Sequence, residues 1–588
     1  MHDDLPSLAA LADVAITWGI GGVLLLAGGV LASRKAAPEF RFGAGWGGLC
    51  VLLTIWGVFL PVSLRVPAIA FAVLALAGLR MPAAEWRTIL RLMVVALPLW
   101  LVMAPIRPSQ PDTFLNLLPN AVYLVDYGRF PTDALPPSFS FLPAAPYNTQ
   151  FLAFLGGLID PGYPAAGMSL VNVLLYLVGG LAIARVLADG TAAAETPLPW
   201  SLVALGPVLA VPLNPGFVPR IDFAGYGEPA LAVTALLAAL MFARGRAGAG
   251  LILAAAINAK QSGIGLVAAL LGAAAFLCWI ETGLRGAWVR RLALSAAPAA
   301  LLYGVWRWHV GHAGVAELTV LPFGQWHWEL LPQILAGMVE EAIGKPVYFG
   351  AVAIALAVWP MLLRRQGWTL ATRLLAFHAA LFVLYNLFLI LAYLGQFSET
   401  MSAAAHSYFR YCTHLSLVLV AALALAARDF GLGAFLKRHA RPAAAAALAV
   451  ALIGPLGFAP RLRFDLAMPQ PLVWNLAAAV KPNLADDDRL ALVLPGDNGS
   501  VATMLSGVLR DVRPRRPRLE LAAVASLDEA ARRGFVKALV SCTAEHDAAF
   551  LTRDGAGWHR VAAWPYPADM TRRRWQHILS WEPLCRKP

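Results

Sequence analysis

The sequence predicts an all-α polytopic membrane protein of about fourteen transmembrane helices over residues 1–460, followed by a small extracytoplasmic α/β domain over 461–588. Three observations predict it. Of 588 residues, 59% are apolar and only 14% charged, with a mean hydropathy of +0.66, a balance that a water-soluble domain with a polar surface does not reach. Apolar runs of the length needed to span hydrocarbon recur from "VAITWGIGGVLLLAGGVLAS" (14–33) to "AAAAALAVALIGPLGFAP" (443–460). After Pro460 they stop, and "DDDRLALVLPGDNGSVATMLSGVLRDV" and "PRLELAAVASLDEAARRGFVKALVSC" alternate short strand-like runs with amphipathic stretches.

The first residues, "MHDDLPSLAALAD", are acidic and lack a basic n-region, so the first apolar run is expected to stay in the protein as a helix. The net charge of +12 does not point to nucleic acid, because its short basic clusters fall between hydrophobic runs, where they set orientation. Placing "SRKAAPEFR", "LRMPAAEWR", "ARGR", "RGAWVRR", "LRRQGWTLATR" and "ARDFGLGAFLKRHAR" inside gives a consistent map, on which only "LADGTAAAETPLPW" (187–200) is silent. On that map the segments 105–161, 212–228, 258–262, 307–346 and 395–408 face out, and so does everything after about residue 460. On that map the C-terminal domain is extracytoplasmic.

Five cysteines are present; Cys50, Cys278 and Cys412 lie in or beside apolar runs, whereas Cys542 and Cys585 lie in the tail, where a disulfide and two free thiols are both open. The tail's "RPRRPR" and "RRRW" read as solvated surface, and "PGDNGS" as a turn that fits neither glycine-rich phosphate template. No internal repeat is evident, and the long external segments 105–161 and 307–346 have no counterparts of the kind that paired transporter halves show.

The external segment opens with "PDTFLNLLPNAVYLVDYGRFP" (111–131). With Asp112 as an N-cap, Phe114, Leu117, Leu118, Ala121, Leu124 and Val125 fall on one helical face, and Asp112, Asn116, Asn120, Tyr123 and Tyr127 on the other. Pro119 predicts a kink or a second short helix. The pattern is an interfacial helix with its polar stripe turned to something wet. Lys260, in "NAKQSG", and Arg410, in "SYFRYCTHL", are ionisable groups at or near membrane depth, where an unpaired charge is costly. Asp126, Asp133, Asp222, Glu228 and Glu399 are further external acids; Asp222 and Glu228 have a ready partner in Arg220. His309, His312 and His327 form a weak metal pattern, and Trp306, Trp308, Trp326 and Trp328 around them read better as an interfacial aromatic belt.

Taken in order, these motifs resemble the membrane-embedded GT-C glycosyltransferases. The acid, the Leu-Pro and the "FP" of 111–131, followed by "LPAAPYNTQFL", are similar to that family's first large external loop, although Asn116-Leu117 stands where a Tyr-His pair is usual. "IDFAGYGEPALAVTALLAAL" (221–240) resembles its second external loop, with Glu228 in the acidic place. "INAKQSGIGLVAALL" (257–271) and "SYFRYCTHLSLVLVAAL" (407–423) resemble its lysine turn and its late helix opening with Arg-Tyr, here Arg410 and Tyr411. The resemblance implies an inverting transferase that takes sugar from a polyprenyl-phosphate donor and delivers it to an envelope glycan or lipid acceptor. It implies Asp112 as catalytic base, with Glu228 and Asp126 as secondary acidic candidates. Lys260 and Arg410 would bind the donor phosphate, and Asn116, Asn120, Tyr123 and Tyr411 would form the polar site face. The sequence assigns no metal ligand and no certain cofactor, and a divalent cation is compatible with it. The rival readings are a transporter or flippase of lipid-linked or envelope sugars, in which the same cations hold a headgroup phosphate, and a noncatalytic assembly factor acting through its tail.

Overall fold

The computed structural model describes residues 6–33, 35–188, 195–246, 248–283, 285–432, 438–467, 470–494, 497, 499–510, 519–541 and 548–564. Cys542, Cys585, "RPRRPR" and "RRRW" lie outside the described residues. The chain forms two compact units, one built from residues up to Pro105 together with Asn120–Leu462, the other from Ile106–Pro119 together with the residues from Arg463 onward.

Among the described residues of the first unit, eight helices are long and apolar enough to cross a membrane: Leu8–Leu31, Pro38–Phe59, Ala83–Met103, Pro164–Leu187, Gly263–Thr282, Pro346–Gln366, Leu370–Gly395 and Tyr408–Gly431. A chain with eight such helices reads as a multi-pass membrane protein. The expected count of about fourteen is larger because several apolar runs form helices shorter than a full span. Arg65–Gly78, Trp200–Ala210, Glu228–Ala243 and Arg441–Gly457 are of this kind, and Gly250–Ile257 stops at the polar turn that carries Lys260. Pro207 lies inside Trp200–Ala210, where it removes a backbone donor from an already short helix.

The first two helices touch backbone to backbone. A Cβ on Gly28 would lie 1.7 Å from the Arg41 carbonyl oxygen, and one on Gly45 would lie 1.9 Å from that of Leu24. Small residues permit this approach, which gains dispersion contact where lipid offers no hydrophobic driving force. The pair leads directly into a buried ionic cluster. Glu39 and Glu85 stand in the first turns of Pro38–Phe59 and Ala83–Met103, and Arg185 in the last turn of Pro164–Leu187, each at the helix end whose dipole suits its charge. Arg185 Nε lies 2.9 Å from Glu39 Oε1, and its Nη1 and Nη2 reach the two Glu85 oxygens at 3.0 and 2.6 Å.

The second unit carries a five-stranded sheet in the order β2-β1-β3-β4-β5, with β1 Arg489–Val493, β2 Glu520–Val524, β3 Lys537–Ser541, β4 Ala548–Asp554 and β5 Gly557–Trp564. β1 pairs in parallel with β2 and β3, and β4 and β5 continue antiparallel, a mixed sheet within the expected α/β tail. Ala491, Val493, Val524, Ala530, Phe535 and Ala538 form its core. Asp497, after β1, accepts from Val501 N at 3.1 Å and Ala502 N at 2.8 Å, so the helix N-terminus that a phosphate would need is already capped by a carboxylate.

This unit also takes in Ile106–Pro119, which the sequence assigns to an external loop of the membrane part. The Arg107 amide donates to Asp465 at 3.2 Å, its guanidinium lies over Trp474 at 5.4 Å, and Gln470 Nε2 donates to Ser109 O at 2.5 Å. Thr113–Leu117 forms a π-helical turn that leads into the helix Leu118–Tyr127. The wider turn accommodates Pro119, which has no amide hydrogen to give.

Candidate functional site

The helix Glu228–Ala243 begins with Gly227 as N-cap and Pro229 in its first turn, so Glu228 stands where the helix dipole favours an anion. The loop before it is pinned to Pro164–Leu187: Asn172 Nδ2 donates to Tyr226 O at 2.9 Å, and Tyr176 OH to Asp222 Oδ1 at 2.6 Å. Gly225, at φ +83°, turns the chain against Met168, where a side chain would collide. Glu228 is fully buried.

Two cations from distant parts of the chain converge on it. Lys260 Nζ lies 3.0 Å and Arg410 Nε 2.5 Å from the same oxygen, Glu228 Oε1. Both cations keep access to solvent, at 29% and 20% exposure, whereas Glu228 has none. The second oxygen, Oε2, is buried with no hydrogen-bond partner among the described residues. Lys260 also lies over the Tyr411 ring at 4.9 Å, and Arg410 over the Tyr226 ring at 4.1 Å, so aromatic faces orient both cations.

The backbone explains how the cations arrive there. Lys260 sits in a turn held by Asn258, whose Nδ2 donates to Tyr147 O, and by Gly263 N bonding Lys260 O at 2.8 Å. Arg410 follows two non-glycine residues in the left-handed region, Ala405 at φ 43° and Ser407 at φ 64°. Such residues persist only where surroundings over-determine them. Here Tyr393 OH donates to Ala405 O and His406 O at 3.1 and 2.9 Å, and Tyr348 OH to Cys412 O at 2.9 Å. His414, a turn further on, has its Nδ1 2.6 Å from Tyr385 OH and interacts electrostatically with Glu228.

A cavity of about 330 Å³ opens beside the Lys260 turn, lined by Gln261, Tyr303, Trp306, Trp326, Phe388 and Gln396 among others. Aromatic faces with polar side chains between them suit a ligand that has apolar faces and hydroxyl groups. Trp306 and Trp326, read from the sequence as membrane-interface residues, line this cavity. His309 packs against Trp306 and Phe130 with tilted rings, centroids 5.0 and 5.4 Å apart, and no group of three or more His, Cys, Asp or Glu is placed to hold a metal among the described residues.

The structure thus brings together Glu228, Lys260, Arg410 and Tyr411 of the sequence candidates, and Glu228 pairs with these cations rather than with Arg220. Asn120 and Tyr123, expected on a wet polar stripe, are instead buried. Asn120 Nδ2 donates to Leu142 O at 3.2 Å and Tyr123 OH to Pro136 O at 2.9 Å, so both hold the folded-back loop. The folded-back loop covers Asn120 and Tyr123 on the face expected to be wet, while Asp126 and Tyr127 at the helix end stay exposed. Asp126 is exposed, and its carbonyl accepts from Arg65 at 3.3 Å. Asp112 and Asn116 belong to the other unit; Asp112 stands at the start of the π-helical turn and makes no side-chain cap hydrogen bond. Sequence reasoning missed His414 and Tyr226 and treated Asp222 as a loop acid. The signal for Asp222 was its position six residues before Glu228 in a loop short of other charge. No family model matches the chain, and no curated protein matches it.

Proposed function

We propose that this chain is an inverting membrane glycosyltransferase of the GT-C type. It moves a sugar from a polyprenyl-phosphate carrier to an envelope glycan or lipid acceptor at the outer face of a bacterial inner membrane. About fourteen apolar segments enter the bilayer and the α/β domain lies outside. One observation carries the reading: two solvent-accessible cations converge on one oxygen of a buried carboxylate whose other oxygen is unbonded, beside an aromatic and polar cavity.

In the proposed step the acceptor hydroxyl oxygen attacks the anomeric carbon as the bond from that carbon to the carrier's phosphate oxygen breaks. The bonding pair leaves with the polyprenyl phosphate, whose growing charge Lys260 and Arg410 stabilise. The hydroxyl proton passes to Glu228 Oε2. A carboxylate clamped by two cations is a weak base, so donor binding has a second effect: as the cations turn toward phosphate, Glu228 regains basicity. The motif resemblance supports the donor class, and the site supports the roles.

The experiment supplies purified protein with a polyprenyl-phosphate sugar and an envelope lipid extract, and follows release of polyprenyl phosphate. Lys260→Ala and Arg410→Ala are expected to weaken donor binding and turnover together, since the charge-assisted contacts exist in both ground and transition states. Normal donor affinity in both variants removes the cations from the site. Movement of intact lipid-linked sugar across sealed vesicles, with no bond cleaved, makes the protein a transporter.

A further inference from the structure

The helix Glu228–Ala243 is about 24 Å long, and its far end carries a second concentration of charge. Among the described residues, three arginines, Arg41, Arg185 and Arg244, stand with two acids there, Glu39 and Glu85. Glu85 is bound at both oxygens by Arg185, and Glu39 by the Arg185 Nε. Arg41 is engaged with backbone carbonyls, its Nε at 3.1 Å from Ala36 O and its Nη2 at 3.3 Å from Arg80 O. Arg244 is different. All three of its guanidinium nitrogens are buried with no hydrogen-bond partner among the described residues, and its cation lies over the Phe40 ring at 5.9 Å.

Phe40 is also a wall of a cavity of about 760 Å³. Its lining includes exposed Ser33, Lys35 and Arg246, and buried Ala44 and Ile252. Two helices begin at this cavity, Pro38–Phe59 and Gly250–Ile257. Their N-caps, Ala37 and Ala249, make no side-chain cap hydrogen bond, so neither end's partial positive charge is met by a capping side chain. A buried arginine behind Phe40, basic residues at the rim, an apolar interior and the N-terminus of Gly250–Ile257, whose first turn holds no acid, describe a site suited to an anion; Pro38–Phe59 already has Glu39 in its first turn.

We propose that this cavity binds a phosphate group, and that its apolar interior takes the chain of the lipid bearing it. Lys35 and Arg246 would hold the phosphate, with the buried Arg244 cation adding positive potential from behind Phe40, and Ala44 and Ile252 would face the acyl chain. The inference does not rest on glycosyl transfer.

The test titrates the full chain, in micelles of a neutral detergent, with phosphatidylglycerol and separately with inorganic phosphate. It reads the thermal midpoint and, by native mass spectrometry, the bound mass. A midpoint that rises and saturates at one phosphatidylglycerol per chain is expected, with binding at least about tenfold weaker in the Lys35→Gln/Arg246→Gln double variant, from the loss of two charged contacts. Both positions are exposed, so that variant keeps its fold. A response to inorganic phosphate alone keeps the anion site and makes its ligand soluble. Response to neither anion, or a double variant that binds phosphatidylglycerol like the parent, overturns the proposal.

Discussion

Two ionic clusters stand at opposite ends of one helix bundle, and they are built differently. Around Arg185 the bonded partners are closed in, with Arg185, Glu39 and Glu85 each 1% exposed and both carboxylates bonded by the one guanidinium. Around Glu228 the acid is as deeply buried, yet its two cations reach solvent and one carboxylate oxygen is left over. The closed triad of Arg185, Glu39 and Glu85 acts as a clasp between helices. An open one holds charge in reserve. Burial of a charge alone therefore does not mark a functional site; the unmatched oxygen and the accessible cations are what support the proposed one.

The largest effect expected from this contrast is on Arg185. Arg185→Ala leaves two buried glutamates without their cation, a loss of about 3–5 kcal/mol, and is expected to abolish the folded, monodisperse protein on size-exclusion chromatography. A variant that purifies normally with an unchanged thermal midpoint would show the clasp to be dispensable.

Glu228→Gln is expected to behave in the opposite way. Lys260 and Arg410 reach water, so the fold should survive with a small change in thermal midpoint, whereas turnover should fall by at least about 100-fold, the lower end of general-base contributions. Asp112→Asn, assayed beside it, should keep turnover within about tenfold of the parent, since general-base loss begins well above that. If Asp112→Asn instead fails and Glu228→Gln does not, the proton acceptor is Asp112, as the family resemblance implies. If Glu228→Gln unfolds like Arg185→Ala, the two clusters are of one kind.

The smallest effect is one of pH. Burial pushes the Asp222 carboxyl up to about 7, against the pull of hydrogen bonds from Tyr176 and the Val218 amide. An unfolded aspartate titrates near 3.9, so between roughly pH 4 and 7 the folded state holds the extra proton and stability falls as pH rises. Below that window both states are protonated and the contribution is fully present; above it the contribution is lost. Asp222→Asn should flatten this part of the profile of thermal midpoint against pH. An unchanged slope would mean that Asp222 stays ionised in the fold.

Much of this was legible in the chain. The apolar runs mark the long helices, the change after Pro460 marks the α/β unit, and Lys260 and Arg410 stand out as charges in greasy surroundings. Their convergence on Glu228 was not legible, since 32 and 182 residues separate them from it and no local pattern encodes a contact of that range. The segment around Asp112 misled for the converse reason. Its local pattern is a good amphipathic helix, but the loop that buries Asn120 and Tyr123, and the sheet unit that takes in Ile106–Pro119, are tertiary events. The short helices escaped because hydropathy registers how apolar a run is and not where a proline or a polar turn cuts it.

The Arg185 clasp also sets a schedule for biogenesis. Glu39 and Glu85 lie 146 and 100 residues ahead of the arginine that neutralises them. At ordinary synthesis rates of about 5–20 residues per second, that is a wait of roughly 5–30 s. During that interval the glycine-matched first hairpin is already complete, but its acid lacks the arginine that bonds it. Insertion of this protein must therefore pass through a stage in which a carboxylic acid is either protonated or held at the membrane surface, and the arrival of the Pro164–Leu187 helix closes that stage.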